Sequence, residues 1–323
     1  MATLPISRSL SSVKHLRPFN VRRDLKEAAD LIELCFDETL TVDGRRYLRH
    51  MRTVAKRNAS RWVTIAASSG GLPLAGFVWE DEGRLVGNLS LLPFFHRGRR
   101  IYLIANVAVH PDYRRRGIAR ALTQAALEKA GRWRVQNIWL HVRDDNPPAI
   151  KLYTSMGFKP QVRRATWDVS PRSILGEPPP ETRVTIRAGR HWDKQRAWLL
   201  KNYPEVLHWH MPLSMQAFKP GLLGFLFRFF GEKRLRHWAA RHREGLLGVL
   251  TWQETERYSD YLWLAAPPET EALALGTILP FLRREARLRR PLSLNYPAGR
   301  AVDFLQAAGF EHRHTLIWMK VKP

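Results

Sequence analysis

Hydrophobic and polar positions along this chain switch between two periods, and the switches mark its elements. Residues 21–36 place Leu25, Ala28, Ala29, Ile32 and Phe36 on one face of a 3.6-residue repeat, which predicts a helix with that face inward. A first strand at 15–19 precedes it, and a second, basic helix over 42–57 follows. Strand-like runs at 62–67 and 74–80 lead to a hairpin turn at Glu80-Asp-Glu-Gly83, and 85–95 returns antiparallel. The apolar run 101–109 reads as a buried strand. His110-Pro-Asp-Tyr113 ends it, because proline cannot donate to a central ladder. Helical spacing resumes with Ile118, Leu122, Ala125 and Ala126 on one face. Then come a strand at 138–142 and a short helix that Asn146 caps, proline opens and Gly157 closes, with 166–169 as a closing strand.

Residues 171–182 carry four prolines and a glycine and read as a semi-extended linker. Beyond it the pattern repeats in worn form: a strand at 183–187, a helix at 191–201, and strands at 246–255 and 258–266. A helix at 269–285 is expected to kink or break at Pro280, and a strand at 292–297 runs into a last short helix. With Gly309-Phe310 set against Gly157-Phe158, Ala301 aligns with Ala149, Phe304 with Leu152 and Leu305 with Tyr153. The expectation is an α/β chain of two tandem domains, 1–170 and 183–323. The aromatic stretch 218–230, followed by Lys233-Arg-Leu-Arg-His237, reads as a helix packed on the sheet, lining a cleft or making a dimer contact; lying in a membrane interface is the alternative.

Composition narrows the class. A hydrophobic content of 45% in 323 residues supports two full cores. A single cysteine, Cys35, excludes an intrachain disulfide and a cysteine-cluster zinc site, and it fits a reducing, cytoplasmic setting. The most apolar stretch, 221–230, is too short to span a bilayer and contains Arg228. Residues 1–15 read as a floppy start rather than a transit peptide. The net charge of +24 is even, with 29 basic and 15 acidic side chains in 1–170 and 24 and 14 in 171–323, and arginine supplies 41 of the 53 cations. A nucleic-acid binder more often concentrates such charge, so nucleic acid is not the favoured partner, although anionic ligands are favoured generally.

The candidate chemistry lies in Arg114-Arg-Arg-Gly117-Ile-Ala119. A helix begins there, and its first turn has backbone N–H groups without intrahelical partners and a partial positive charge. Gly117 and Ala119 are small where a ligand would approach, and three arginines surround them, an environment suited to a pyrophosphate. Arg-x-x-Gly-x-Ala after Val-Ala-Val-His-Pro, followed by Asn-x-x-Ala-x-x-Leu-Tyr-x-x-x-Gly-Phe, resembles the GNAT superfamily of acyl-CoA-dependent N-acyltransferases. The resemblance implies two GNAT folds, each a mixed, mostly antiparallel sheet flanked by helices. It implies an acetyl-CoA donor held by Val107, Ala108, Val109, Arg114, Arg115, Arg116, Gly117, Ile118, Ala119, Asn146, Ala149 and Tyr153, and no metal.

The acceptor implied is a small-molecule or peptide amine. An amine must lose a proton, attack on the thioester makes an oxyanion that a backbone N–H near the split strands stabilises, and the leaving thiolate must gain a proton. The family's usual proton donor matches Tyr153. For the base, His141 stands where ribosomal-protein N-terminal acetyltransferases, resembled in Leu-x-Val-Arg-x-x-Asn, carry glutamate; His110, Glu80 and Glu82 are the other candidates. In the second half Glu269 and Glu271 stand where arginine and glycine belong and Leu305 replaces the tyrosine, so that half is expected to keep the fold without the site. A homodimer is a further possibility. The competing reading is a non-catalytic CoA-binding or nucleic-acid-associated module.

Overall fold

The computed structural model describes residues 15–56, 73, 75–96, 98–133, 135–231, 234–243, 245–284 and 288–323; the strand expected at 62–67 lies outside them. The chain divides into two units. Unit 1 takes Met1–Val142, Pro147–Pro160 and Trp318–Pro323, and unit 2 takes Arg143–Asn146 and Gln161–Ile317.

In unit 1 the short strand β1 (Leu16–Pro18) gives way to α1 (Val21–Phe36), which starts where the Asn20 side chain accepts hydrogen bonds from the N–H groups of Arg22 and Arg23. α2 (Val42–Lys56) follows, then β2 (Ala75–Asp81), β3 (Arg84–His96), β4 (Arg99–Val109), α3 (Ile118–Arg132), β5 (Asn137–Arg143) and α4 (Pro147–Ser155). The strands lie in the order β1-β2-β3-β4-β5, antiparallel except for the parallel β4–β5 pair. Leu25, Ala28, Ala29 and Ile32 of α1 pack with Leu48 and Met51 of α2 against Val78, Leu85 and Ala108 of the sheet, so the expected inward face is the buried one. α3 buries Ile118, Leu122, Ala125 and Ala126. It approaches the sheet so closely that a Cβ on Gly87 of β3 would stand 2.8 Å from the Ile118 side chain.

Unit 2 contains β6 (Lys159–Val169, from Gln161 onward), β7 (Thr182–Ile186), α5 (Trp192–Asn202), α6 (Met215–Phe218), α7 (Gly221–Phe230), β8 (Leu235–His242), β9 (Gly245–Gln253) and β10 (Asp260–Ala265). It continues with α8 (Glu271–Arg284), β11 (Leu292–Pro297), α9 (Val302–Ala307) and β12 (Glu311–Val321) as far as Ile317. Its sheet runs β12-β6-β11-β10-β9-β8-β7, with β10 and β11 parallel. The core is built from Val249, Leu250, Leu262, Leu264, Leu275, Ile278, Leu279, Leu294 and Tyr296.

Three features differ from the sequence-based expectation. The strand expected to close the first half, β6, pairs with β11 from Val169↔Leu292 to Arg164↔Pro297 and so belongs to unit 2, while the last residues of the chain, from Trp318, belong to unit 1. The division by packing therefore departs from a boundary at residue 170. The second difference is that α8 is not broken at Pro280 but continues through it to Arg284. Leu275, Ile278, Leu279 and Leu282 are all buried on either side of the proline, and burying four such side chains outweighs the roughly 3 kcal/mol that an interior proline costs. Lastly, β8 is a full strand although its sequence carries Arg236, His237, Arg241 and His242, because Trp238, Ala239 and Ala240 supply the buried stretch.

Candidate active site

β4 and β5 pair from Ile101↔Asn137 to Ile104↔Leu140, and the recorded pairing stops there. β4 continues to Val109, with Val107, Ala108 and Val109 on this stretch, and the first β5 residue past the last pair is His141. Parting parallel strands leaves backbone donors and acceptors facing an opening instead of each other. A β-bulge sits in the same stretch: the β3–β4 register slips between Asn88 and Ser90, and Asn106 takes a left-handed φ of 53°. A bulge of this kind re-aims a side chain and is enriched beside functional sites.

The Asn106 side-chain amide is directed at the Tyr47 hydroxyl, 3.5 Å away, and the Ser90 hydroxyl, 3.4 Å away, while the main-chain carbonyl of Asn106 accepts from Asn88 Nδ2 at 2.8 Å. Asn88 is fully buried, and among the described residues its Oδ1 has no hydrogen-bond partner. Burial pushes the Tyr47 phenol up to about 12. This polar group on the α1–α2 side of the sheet escaped the sequence reading. Its only signal was an asparagine inside an apolar run, which a strand pattern absorbs without comment.

After β4 the chain makes a single 3-10 turn at Pro111–Tyr113, whose first N–H groups the His110 ring helps to cap by accepting from Asp112 N at 3.4 Å. Arg115 (φ 63°) and Gly117 (φ 80°) then turn left-handed to start α3. Among the described residues no side chain caps that helix, and a Cβ built on Gly117 would meet none of their atoms within 4 Å. The space beside Gly117 is thus open, as the close approach of a diphosphate to a helix N-terminus requires. The flanking arginines are held in place: Arg114 Nε donates to Val109 O at 3.2 Å, and Arg116 lies over the Tyr113 ring at 4.9 Å and donates to Asp112 O. Cys35 Sγ also donates to Val109 O, at 3.3 Å, and burial pushes its thiol upward, so packing accounts for it.

α4 is tied to α3 by Arg120, which donates to the Ser155 hydroxyl at 2.7 Å. Tyr153 of α4 is 7% exposed, meets Phe158 edge-on at 5.9 Å, and has its phenol pushed up to about 12 by burial. At neutral pH it is therefore fully protonated, the form a proton donor needs. Ala149 lies one turn earlier on the same helix, and Asn146, exposed just before it, donates its N–H to Arg143 O at 3.2 Å. By packing, Asn146 falls in unit 2 and Ala149 and Tyr153 in unit 1. His141 is half-buried, its ring 4.9 Å from that of Trp318.

The other base candidates fare differently. Arg17 and Arg23 grip Glu80 at 2.6 and 2.7 Å, and Arg17 above all holds its carboxyl below the usual range, so Glu80 is a structural anion. Glu82 (φ 47°) sits exposed at the tip of the β2–β3 hairpin with Gly83 (φ 79°), and the His110 ring is engaged in its turn.

In unit 2, β10 and β11 also stop pairing early, at Leu262↔Leu294, but protein groups fill the opening. Leu264 N donates to the Tyr203 hydroxyl at 3.0 Å, and Asn202 Nδ2 donates to the carbonyls of Leu264 and Ala266, each at 3.1 Å. Glu271 in the first turn of α8 accepts from the Tyr296 hydroxyl at 2.8 Å and pairs with Arg300, which also donates to Asn202 Oδ1 at 2.8 Å.

The acetyltransferase (GNAT) family model matches residues 41–158. Among curated proteins, the [ribosomal protein bS18]-alanine N-acetyltransferase of Escherichia coli K12 is 45% identical over 53 residues, 16% of this chain and 36% of that protein; the chain thus spans about a third of the length of this relative. The mycothiol acetyltransferase of Geodermatophilus obscurus is 27% identical over 239 residues, 68% of this chain and 74% of that protein. Among solved structures, a tandem GNAT protein from the clavulanic acid biosynthesis pathway matches with a TM-score of 0.51 at 18% identity, covering 95% of this chain and 98% of that one, a likeness of fold. The glycine turn, the parted strands and the tyrosine helix all lie within the segment, residues 41–158, that the acetyltransferase (GNAT) family model matches.

Proposed function

We propose that the protein is an N-acetyltransferase that transfers acetyl from acetyl-CoA to a primary amine by direct attack, with unit 1 as the catalytic unit. The observation that carries this reading is the uncapped α3 N-terminus at Gly117, open to a ligand and adjoining the strand opening between β4 and β5. The donor supplies an activated thioester; the chain's residues bind, orient and move protons. Backbone N–H groups of 115–119 hold the pyrophosphate, and Val107, Ala108 and Val109 line the opening where backbone donors meet the acyl oxygen.

The amine nitrogen bonds to the acyl carbon as the C–S bond breaks. Tyr153 gives its proton to the departing thiolate, and the amine's proton passes to His141, directly or through water. Asn106, Tyr47 and Ser90 hold the acceptor. They are neutral, so selection on this side rests on hydrogen bonding and shape rather than on charge pairing. Unit 2 binds no CoA, since Tyr203, Asn202, Glu271 and Arg300 already take up its opening.

Titration calorimetry of the full chain should give one acetyl-CoA per chain, and CoA release should respond to some members of a panel of amines and peptide N-termini. Nucleic-acid binding measured across salt provides the contrast. No acetyl-CoA binding, or binding with no acceptor-dependent CoA release while nucleic acid binds tightly, would overturn the reading in favour of a basic binding module.

A further inference from the structure

α7 is built inside out. Its small residue faces the protein: Gly224 is buried, and a Cβ there would lie 1.7 Å from the Lys219 carbonyl oxygen, so only glycine lets the helix close onto the preceding turn. Its one charged residue is used internally as well, since Arg228 Nη1 donates to Ala217 O at 2.9 Å and Lys219 O at 3.3 Å. Among the described residues of α7, four large apolar side chains point outward, Phe227 (53% exposed) among them. Leu222 is 72% exposed, Phe225 52% and Phe229 66%, and with half-buried Leu226 they fall at i, i+3, i+4 and i+7, one stripe along a helix about 15 Å long. Phe225 and Phe229 stack with ring centroids 6.0 Å apart. A surface helix that serves only to pack on its own domain would have the reverse arrangement, and contiguous apolar exposure of this kind marks an interaction site.

Charge selects the occupant. No aspartate or glutamate occurs from residue 206 to residue 231, and, apart from the internally bonded Arg228, 219–236 holds Lys219, Lys233, Arg234 and Arg236 against Glu232 alone. A second copy of the chain would bring +24 against +24. A bilayer carrying anionic lipid offers an apolar interior for the stripe and opposite charge for its flanks. No helix among the described residues is long and apolar enough to cross a membrane, so the contact is interfacial. We propose that α7 docks the protein onto anionic membrane surfaces, inserting Leu222, Phe225 and Phe229 below the headgroups. This does not depend on the acetyltransferase reading.

Flotation of the full chain with vesicles tests it. Vesicles of phosphatidylcholine with phosphatidylglycerol should carry at least about 10-fold more protein than phosphatidylcholine alone, and added salt should reduce the difference. Phe225→Ser/Phe229→Ser should abolish flotation while leaving thermal stability unchanged, because both side chains are exposed. Three results would overturn the proposal: no flotation with the anionic vesicles, flotation undiminished in the double variant, or a wild-type dimer in solution that the double variant converts to monomer.

Discussion

Phe158 N–H donates to Tyr153 O at 3.1 Å, and Phe310 N–H donates to Leu305 O at 2.9 Å; Gly157 and Gly309 both close their helices at φ 88°. The two units end their short helices with the same backbone turn and differ in the side chain it presents, a tyrosine in one and a leucine in the other. The same division recurs elsewhere. Both units part a parallel strand pair, at Ile104↔Leu140 and at Leu262↔Leu294. β3–β4 carries a bulge and a left-handed asparagine, whereas β9–β10 keeps register from Gln253↔Tyr261 to Val249↔Ala265. Counting from the last pair, Leu264 corresponds to Asn106, and its N–H is taken by the Tyr203 hydroxyl. Features that serve packing persist in both units, whereas the opening beside the parted strands is filled in unit 2 by the protein's own groups.

The strongest test of that contrast is the anion cradle. Gly117→Glu places a carboxylate in the open space above the α3 N-terminus at a left-handed backbone position, at a conformational cost of roughly 1 kcal/mol. Acetyl-CoA binding by calorimetry should fall from one site to none, with far-UV circular dichroism unchanged. A site surviving in this variant would show that unit 2 binds CoA after all.

Next in size is the proton donor. Tyr153→Phe should lower kcat by about 10²–10⁴-fold with little change in acetyl-CoA affinity. Because burial holds the phenol near 12, the wild-type rate should not fall as pH passes 10, where an ordinary tyrosine loses its proton; loss of the acid form should come only toward 12. A Phe variant with full kcat would remove Tyr153 from the mechanism. Leu305→Tyr in that background should restore nothing, since the unit 2 opening is already filled.

Much of this contrast was legible in the sequence, because it is written in residue types whose reasons are local. The glycine at the start of α3, the glutamates at the start of α8 and the tyrosine-to-leucine exchange are each read from single positions. Pairing was less legible. β6 reads as well for one unit as for the other, since an alternating strand carries no record of its partner, and it pairs with β11. Strand β12 passed unremarked because His312, Arg313, His314 and Lys320 interrupt its apolar residues. The α7 stripe has the composition of a core helix, and only its orientation, fixed by Gly224 and Arg228, turns it to solvent.

The unit 2 plug can be opened. Glu271→Ala leaves Arg300 without its carboxylate and the Tyr296 hydroxyl without its acceptor, both in a largely buried network. Removing one member of such a pair costs about 3 kcal/mol, which should lower the thermal midpoint by several degrees. Acetyl-CoA stoichiometry and kcat should stay as in wild type. A gain of a second CoA site would mean that the plug alone, rather than the missing glycine turn and tyrosine, keeps unit 2 empty.

The smallest expected effect is the most discriminating for the acceptor side. Asn106 occupies a left-handed position that glycine adopts without strain, so Asn106→Gly keeps the bulge while removing the amide that faces Tyr47 and Ser90. If the asparagine were there only to sit in the bulge, the variant would match wild type in every kinetic constant. If the amide holds the acceptor, the acceptor KM should rise about 3–10-fold, the worth of one or two ordinary hydrogen bonds, while acetyl-CoA affinity stays unchanged. Asn106→Asp should behave differently again. It keeps the shape and the tolerance for φ 53°, and it places a carboxylate beside the Tyr47 and Ser90 hydroxyls, where a protonated amine would pair with it. That variant should favour cationic acceptors at low pH and lose the preference as the amine deprotonates. An Asn106→Gly variant with unaltered acceptor KM would return the bulge to a purely structural role and leave the α1–α2 side without an assigned acceptor contact.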